Sequence, residues 1–454
     1  MALKSINPSN GILIKEFAEI SDVELIEKIE AAHRAFLKWK NVSYSERRRI
    51  LNNAAANLRE NKNKYGETLT LEMGKPINQA IAEVEKCAWV CEHYAENAEK
   101  ILAEEIIETD ASESYVRFDP LGIVLAVMPW NFPFWQVIRF AAPALMAGNA
   151  AILKHASNVQ LSAIAIEEIF VKSGLPENLF TTLVIGSNRV EQVINHRHVK
   201  AVTLTGSEYA GKSVAEQCGK NLKKTVMELG GSDPFIVFAD ADIDSAVSTA
   251  VTARIINNGQ SCIAAKRFIV VKDIAEEFSA KFAKKLASVK IGDPMDKSTE
   301  LGPIAREDLL HELQTQVDKS IKLGAVILTG GKILERDGFY FPPTLITNVR
   351  PGMPAYNEEI FGPVASLIVA EDENDAIRIA NDSPFGLGAS LWTSNIEKAK
   401  LLASQIDSGS VFINGMVKSD PRLPFGGVKL SGYGRELSHY GIKEFVNIKT
   451  VWIK

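Results

Sequence analysis

Cysteine is scarce in this sequence: 454 residues contain four, at positions 87, 91, 218 and 262. So few cysteines exclude a disulfide framework and are typical of a reducing compartment, so we expect a cytoplasmic location. Cys87 and Cys91 stand four residues apart in a helical pattern, but no nearby histidines or further cysteines complete a tetrahedral set. Helix packing is the favoured interpretation of this pair, and we expect no metal cofactor.

The sequence also lacks an uninterrupted apolar run and a strong excess of charge of one sign. Its most apolar region, Leu121 to Leu153, is broken by three prolines and by polar residues, which excludes a membrane helix. A net charge of -5, with 24% charged residues, gives no general affinity for nucleic acid or anionic membranes. Neither a secretory signal nor an Arg-rich transit pattern opens the chain. We therefore expect neither nucleic acid nor membrane as a partner.

The chain is long enough for two or more domains, and its patterns change along its length. Apolar positions recur every three to four residues from about Asp22 to Leu102, which predicts a helical layer. From Asn149 onward, short apolar runs alternate with amphipathic segments, the βαβ pattern of a parallel sheet covered on both faces. The final segment, FVNIKTVWIK, is strand-like and needs a pairing partner, either in this chain or in another subunit.

One motif suggests a nucleotidase. The stretch TGSEYAGKS, beginning at Thr205, satisfies G-x-x-x-x-G-K-[ST], with Lys212 and Ser213 at its end. A strand precedes it and a helix follows it, as a phosphate-binding loop requires. The pattern itself predicts only a glycine turn at a helix N-terminus, which suits phosphate without naming a nucleotide. An ATP- or GTP-hydrolysing enzyme is therefore kept as an alternative.

A second motif suggests calcium. The acids of DADIDS, which starts at Asp240, alternate as in an EF-hand, but position six is Ser245 and position twelve is Val251. An EF-hand requires glycine at position six and glutamate at position twelve, so these residues do not form a calcium ligand set. Helix capping by Asp242 or Asp244 is the favoured role.

Three further residues have the chemistry of a nucleophilic thiol with a base and a donor to an oxyanion. Cys262 follows Gly259, Gln260 and Ser261 just before a predicted strand. A free cysteine is usually a core residue, but these small and polar neighbours favour a sharp turn that leaves the thiol accessible. Glu228 ends an apolar strand before two glycines, where its carboxylate could face a cleft; from this pattern alone, a salt-bridged or capping residue is the favoured interpretation. Asn131 lies between aromatic rings and prolines in MPWNFPFW, and its amide needs hydrogen bonds either within the protein or from a ligand.

These motifs, taken in order, resemble those of the NAD(P)-dependent aldehyde dehydrogenase superfamily across almost the whole chain. They are PWNFP (129–133), LKHAS (153–157), TGS (205–207), ELGG (228–231), GQSC (259–262), EEIFGPV (358–364) and PFGGVKLSGYGRE (424–436). Seven motifs in family order make the resemblance specific. Four features together resemble the succinate-semialdehyde dehydrogenase branch: the short N-terminus, GQSCIAAKRF, ELGGSDPF and Ser419 before PFGG.

The resemblance implies a catalytic role for each of the three residues. Cys262 would be the nucleophile, Asn131 the donor to the oxyanion, and Glu228 the base that activates water to release the acid. A cysteine suits this chemistry because only a modest lowering of its pKa is needed to give a strongly nucleophilic thiolate. A catalytically silent relative would more easily have lost one of the three.

The resemblance also implies a nicotinamide cofactor. Lys154 would reach the adenosine ribose, Ser207 the pyrophosphate, and Glu359 with Phe361 the nicotinamide end. Position 157 is a serine, where a glutamate would repel a 2′-phosphate, so we expect NADP to be preferred over NAD. The implied cofactor residues are Trp130, Lys154, Ser157, Gly206, Ser207, Glu208, Leu229, Glu359 and Phe361.

The substrate that the resemblance favours is succinate semialdehyde, with another small or medium aldehyde as the alternative. Trp135, Arg139 and Ser419 are expected to line the distal part of the pocket. The arginine could hold a substrate carboxylate by a two-pronged ion pair, or it could pair with an acid of the protein.

The family fold is α/β and has three parts. The resemblance implies a Rossmann-type cofactor-binding domain (1–103 and 121–229), an α/β catalytic domain (230–436) and a small β oligomerisation domain (104–120 and 437–454). A homodimer or homotetramer is expected.

Overall fold

The computed structural model describes residues 3–454 of the chain. The first two residues of the predicted segment 1–103 lie outside the described residues. In the part of the chain that is described, no helix has both the length and the apolar character needed to cross a bilayer.

The described chain alternates strands and helices along most of its length. The strands are β1 (Leu3–Asn7), β2 (Ile12–Phe17), β3 (Glu105–Ile106), β4 (Glu113–Pro120), β5 (Ile123–Met128), β6 (Ala150–His155), β7 (Phe180–Thr182), β8 (Val199–Thr205), β9 (Lys224–Glu228), β10 (Pro234–Val237), β11 (Arg267–Val271), β12 (Val326–Thr329), β13 (Thr344–Thr347), β14 (Val364–Ala370), β15 (Phe385–Gly386), β16 (Ala389–Trp392), β17 (Val411–Ile413), β18 (Val428–Lys429), β19 (Gly432–Tyr433) and β20 (Val446–Ile453). The α-helices are α1 (Asp22–Trp39), α2 (Tyr44–Glu60), α3 (Lys62–Met73), α4 (Ile77–Ile101), α5 (Trp135–Met146), α6 (Gln160–Lys172), α7 (Val190–Asn195), α8 (Glu208–Lys220), α9 (Ile243–Ile255), α10 (Lys272–Ala287), α11 (Glu307–Lys322), α12 (Pro354–Asn357), α13 (Glu373–Asn381), α14 (Ile396–Ala403) and α15 (Ser438–Lys443).

The predicted helical layer is formed by α1 to α4. Helix α1 begins after Ser21, whose side chain accepts a hydrogen bond from the backbone N–H of Glu24, while the Glu24 carboxylate accepts one from the N–H of Ser21. This reciprocal pair is a capping box, which fixes where the helix starts. Leu25 and Ile29, spaced at the helical period, are fully buried. The layer therefore packs by the apolar face that the sequence periodicity predicted.

A six-stranded sheet forms beside these helices, in the order β19-β9-β8-β5-β6-β7. Its strands are parallel except for β19 at one edge. From β5 the chain first adds β6 and β7 on one side and then crosses back to add β8 and β9 on the other. The strand order thus reverses between β5 and β8, and this Rossmann-type topology leaves a crevice at the carboxyl ends of those two strands.

The second sheet has seven strands in the order β12-β13-β14-β11-β10-β16-β17, all parallel except β12. Along β10, Phe235 and Val237 pack in one core cluster, whereas Ile236 between them packs in another. Successive side chains of a strand point to opposite faces, so apolar residues at every position mean that both faces are covered. The α/β fold class expected from the sequence is confirmed.

A third sheet, of three antiparallel strands, joins the C-terminus to the middle of the chain in the order β20-β4-β3. The C-terminal segment therefore finds its pairing partner within its own chain, from Val446 opposite Pro120 to Ile453 opposite Glu113. Ile106, Ile448 and Trp452 of this sheet remain at least half exposed.

Strand β19 departs from the segment assignment made from the sequence. Gly432 and Tyr433 fall within the segment 230–436 expected to be catalytic, yet they pair with Glu228 and Met227 at the edge of the first sheet. Gly432 has φ +107°, and a Cβ there would lie 2.0 Å from the Met227 carbonyl oxygen. Only glycine permits this approach, which brings the C-terminal part of the chain against the end of β9.

Candidate active site

The loop before Cys262 has an unusual backbone. Asn257, Asn258 and Gly259 are consecutive and all left-handed, with φ of 55°, 59° and 75°. The asparagines tolerate this conformation, and Asn257 Nδ2 donates to the carbonyls of Asn131 and Gln260 at 2.8 and 2.9 Å. The resulting tight turn presents Cys262, a partly exposed residue, ahead of β11.

Asn131 is held directly against this loop. It follows β5 at the crevice of the first sheet, and its Nδ2 donates to the Gln260 carbonyl oxygen at 3.1 Å. The residue is buried, at 4% exposure, yet it lines the same cavity as Cys262. Two of the three residues expected to be catalytic are therefore brought together by the structure.

Lys266 holds the loop that contains Cys262 and was not singled out from the sequence. Its buried ammonium donates to the carbonyls of Ser261 and Cys262 at 2.8 and 2.7 Å, and lies 3.3 Å from Glu359 Oε1. Its position within GQSCIAAK was the one available signal. Lys266 thus ties Cys262 to a residue expected to position the cofactor.

Cys262 itself packs against the core cluster beside the first sheet. Burial raises the pKa of its thiol to about 12, while the positive charges of Lys266 and Arg139 act in the opposite direction. The chemistry implied by the resemblance needs a modest lowering of this pKa, whereas the groups of the protein around the thiol together raise it.

Glu228 does not line the cavities that contain Cys262. It is 2% exposed at the end of β9, and neither carboxylate oxygen has a hydrogen-bond partner within residues 3–454. Burial, followed by the nearby negative charge of Glu436, raises the pKa of Glu228 well above its usual range. A Cβ on Gly426 would lie 2.7 Å from Glu228 Oε1, so the carboxylate packs against the loop containing PFGG.

Arg139 forms the ion pair within the protein that the sequence left open. Its guanidinium pairs with Glu436, lies 3.4 Å from Thr205 Oγ1, and has Phe425 beside it with 4.7 Å from Cζ to the ring centroid. Both members of the pair are almost fully buried. Glu436 ends the motif PFGGVKLSGYGRE but was given no role from the sequence. The charge of Arg139 is thus matched by a protein carboxylate.

Two cavities meet at Cys262. The first, of about 510 Å³, includes Asn131 and most of the residues expected to bind a cofactor, namely Trp130, Gly206, Ser207, Glu208, Leu229, Glu359 and Phe361. The second, of about 560 Å³, includes the three residues expected at the substrate, Trp135, Arg139 and Ser419. Because Cys262 lines both, a group bound in either cavity can meet its thiol. We call them the cofactor-side and substrate-side cavities.

Lys154 and Ser157 lie at the end of β6, away from the lining of the cofactor-side cavity. Lys154 is 9% exposed, and burial lowers the pKa of its ammonium. Ser157 is exposed two residues beyond the strand. Since β6 is adjacent to β5 and parallel to it, both residues are at the same edge of the sheet as Asn131.

The phosphate-loop motif folds differently from a nucleotidase loop. Helix α8 already begins at Glu208, capped by the Ser207 hydroxyl, which accepts from the N–H of Ala210 at 3.3 Å. Lys212 and Ser213 are exposed within this helix, and Lys212 Nζ lies 3.7 Å from Glu208 Oε1. The residues that would have to wrap a phosphate are helical, so only the N-terminus of α8 faces the cavity.

Two weaker motifs have structural roles. Asp242 caps helix α9 by accepting from the N–H of Ser245 at 3.1 Å, the role that the sequence favoured over calcium binding. Cys87 and Cys91 are fully buried in α4 within the core beside the first sheet.

Known proteins resemble this chain over almost its whole length. A model of the aldehyde dehydrogenase family matches residues 1–451. The chain belongs to the aldehyde dehydrogenase family. Among its relatives in this family, a probable succinate-semialdehyde dehydrogenase [NADP(+)] from Synechocystis sp. is 52% identical over 453 residues, and the match covers all of both chains. Succinate-semialdehyde dehydrogenase [NADP(+)] 1 from Mycobacterium tuberculosis is 50% identical over 456 residues, also at full coverage.

Solved structures of the family superpose closely. The chain matches a succinic semialdehyde dehydrogenase from Streptococcus pyogenes, crystallised with NADP+, with a TM-score of 0.98 and 39% identity over all of both chains. An NADP-dependent enzyme from E. coli matches with a TM-score of 0.97 and 34% identity, over all of this chain and 95% of that one. This aldehyde dehydrogenase therefore has the family fold throughout its length.

Proposed function

We propose that this aldehyde dehydrogenase oxidises succinate semialdehyde to succinate with NADP+. The observation that carries the proposal is the position of Cys262 at the junction of two cavities, one suited to a cofactor and one to an aldehyde. The names of the relatives that are about half identical over their full length support the choice of substrate and cofactor.

The residues around the cofactor-side cavity fit a nicotinamide dinucleotide. Ser207 and the N-terminus of α8 supply backbone N–H groups for a pyrophosphate, and the rings of Trp130 and Phe361 meet edge to face at 5.7 Å beside the cavity. Gly230 leaves open the space next to Glu359, since a Cβ there would lie 2.4 Å from Glu359 Oε2. When bound, the cofactor accepts a hydride from the substrate.

In the first half of the reaction, the Cys262 sulfur adds to the aldehyde carbon, and the thiol proton passes to solvent in the cavity. The oxyanion of this thiohemiacetal accepts hydrogen bonds from Asn131 Nδ2 and from the backbone N–H of Cys262. Collapse of the oxyanion expels hydride and leaves a thioester on Cys262. The aldehyde carbon is thereby oxidised by two electrons.

In the second half, water attacks the thioester after losing a proton to Glu228. An ordinary carboxylate is a weak base, and the raised pKa of Glu228 makes it a stronger one. Its side chain would turn from the PFGG loop toward Cys262 for this step. The overall balance is aldehyde, water and NADP+ giving carboxylate, NADPH and two protons.

A preference for NADP over NAD is part of the proposal. Ser157 is neutral and exposed, and Lys154 is three residues before it at the same edge of the sheet. A 2′-phosphate near these residues would meet no carboxylate at position 157 and could be attracted by the lysine.

We further propose a homodimer or homotetramer in the cytoplasm. The sheet β20-β4-β3 carries exposed Ile106, Ile448 and Trp452, an apolar surface suited to a second copy of the chain. A reducing compartment would keep the Cys262 thiol available.

The test is steady-state formation of reduced cofactor with a panel of aldehydes, run with NADP+ and NAD+ in parallel. We expect the highest kcat/KM with succinate semialdehyde and NADP+. A higher kcat/KM with butanal, an uncharged aldehyde of the same length, would overturn the assigned substrate. A higher value with NAD+ would overturn the assigned cofactor.

A further inference from the structure

Within residues 3–454, four cationic side chains line the substrate-side cavity. Only one of the four is both shielded from solvent and without a carboxylate partner. Arg139 is paired with Glu436, while Lys297 and Lys418 are exposed to solvent. The fourth is Lys86, which projects from the middle of α4 and is half-buried. Lys86 belongs to none of the motifs that carry the family resemblance.

The contacts of Lys86 are with neutral groups. Its Nζ donates to Ser419 Oγ at 2.6 Å and lies 4.2 Å from the centroid of the Trp135 ring. Within residues 3–454, it forms no ion pair with a carboxylate. An ammonium has three N–H donors, so donors are left over after the serine contact. A shielded cation of this kind is stabilised by an anion that enters from the cavity.

The hydroxyl of Ser419 is placed to donate a second hydrogen bond to such an anion. Its oxygen accepts from Lys86, so its own proton remains available for a further acceptor. An acceptor next to both residues would receive one hydrogen bond from an ammonium and one from a hydroxyl. A carboxylate, with two oxygens and a negative charge, satisfies both donors at once.

We infer that Lys86, with Ser419, binds the carboxylate of the substrate and so selects short aldehydes with an acid group at the far end. The inference rests on the proposed function, since it assigns the residue that recognises the acid group of succinate semialdehyde. Trp135 provides the aromatic face along which the lysine lies, and Cys262 in the same cavity receives the aldehyde end.

Burial, together with the positive charge of Arg139, lowers the pKa of Lys86 to about 8, against opposing contributions from Cys87, Glu83 and Asp420. The ammonium is therefore still the main form at neutral pH. Arg139 is paired with Glu436, so it is not left without a carboxylate partner as Lys86 is.

The experiment compares Lys86→Met with Lys100→Met, the same substitution at an exposed lysine of the same helix. Each variant is assayed with succinate semialdehyde and with butanal. We expect Lys86→Met to lower kcat/KM for succinate semialdehyde by roughly 10- to 100-fold, mainly through KM, because a charge-assisted contact is lost. Its kcat/KM for butanal should stay within about twofold of the wild type, and Lys100→Met should change neither value.

Retained butanal oxidation shows that the variant is folded, and Lys86→Arg, which keeps the charge, should recover part of the lost efficiency. Equal losses with the two substrates, or none with succinate semialdehyde, would overturn the role of Lys86 while leaving the proposed function intact. A wild-type enzyme that fails to prefer succinate semialdehyde over butanal would instead overturn the proposed function and the inference with it.

Discussion

The two cavities that meet at Cys262 are both expected to receive anions, but they differ in charge. The cofactor-side cavity is lined by four glutamates, Glu208, Glu312, Glu358 and Glu359, and within the described chain by no lysine or arginine. Among the same described residues, four cations and only two acids, Glu83 and Glu300, line the substrate-side cavity. The difference indicates two ways of binding an anion in one enzyme.

On the cofactor side, the groups available to a pyrophosphate are backbone N–H groups and the positive end of the α8 dipole. These donors depend on the path of the main chain, so they tolerate acidic side chains nearby. On the substrate side, the selective group is a side-chain ammonium, Lys86, whose effect depends on its charge. Variants and pH should therefore affect the two sides differently.

The largest loss of activity is expected from a substitution at Asn131, beside Cys262 where the two cavities meet. Replacing Asn131 by Ala removes one donor to the oxyanion, and we expect kcat to fall by about 10²- to 10³-fold. The affinity for NADP+, measured by titration calorimetry, should change little, because the amide acts on the reacting carbon. A variant that loses cofactor affinity and retains its kcat would assign Asn131 to the cofactor instead.

A charge placed at position 157 should act on the cofactor side alone. We expect Ser157→Glu to lower the ratio of kcat/KM for NADP+ to that for NAD+ by roughly 10- to 100-fold, because a carboxylate repels the 2′-phosphate. Ser157→Gln, of equal size and neutral, is the control and should leave most of the NADP+ preference. If both variants lose it equally, bulk rather than charge explains the effect.

The substrate side should instead respond to pH. The pKa of Lys86 is lowered to about 8, so its cationic form, which is present below that pH, is lost as the pH rises through it. We expect kcat/KM for succinate semialdehyde, divided by that for butanal, to fall about tenfold between pH 7 and pH 9, since kcat/KM follows the free enzyme. Ionisation of Cys262 cancels in this ratio. A ratio that is flat with pH in the wild type, or that still falls in Lys86→Met, would contradict the assignment.

The smallest effect is expected at the residue that first suggested a nucleotidase. Lys212 is exposed in α8 and its ion pair with Glu208 is a surface one. We expect Lys212→Ala to change kcat/KM by no more than about twofold and the free energy of unfolding by about 0.5 kcal/mol or less. A tenfold loss of activity would show that the lysine itself contacts the cofactor.

The contrast between the cofactor side and the substrate side explains how much of the fold and of the site could be predicted from the sequence. Helical and strand periodicity predicted the first helical layer and the α/β fold, and motifs on loops after β5, β8 and β9 marked the cofactor side. These motifs are short because each loop is built by neighbouring residues. The sequence therefore identified Asn131, Ser207 and Cys262 as candidates before any geometry was known.

The substrate side is assembled from residues far apart in the chain. Lys86 and Ser419 meet across 333 positions, and Arg139 pairs with Glu436, so no local pattern joins the partners. The pairing of β19 with β9 likewise depends on Gly432, whose close approach to β9 is visible only in three dimensions. The raised pKa of Cys262 follows from burial of the thiol and could not be predicted from residue type.

The proposed mechanism requires a covalent bond between the Cys262 sulfur and the carbonyl carbon of the substrate, formed where the two cavities meet. Glu228→Gln should allow the first half of the reaction and slow the second, because the amide cannot take a proton from water. Mixing this variant with succinate semialdehyde and NADP+ should give a burst of NADPH close to one per subunit, and mass spectrometry should find a succinyl group on the peptide that contains Cys262. Full steady turnover without an adduct, or an acyl group on a different residue, would contradict it.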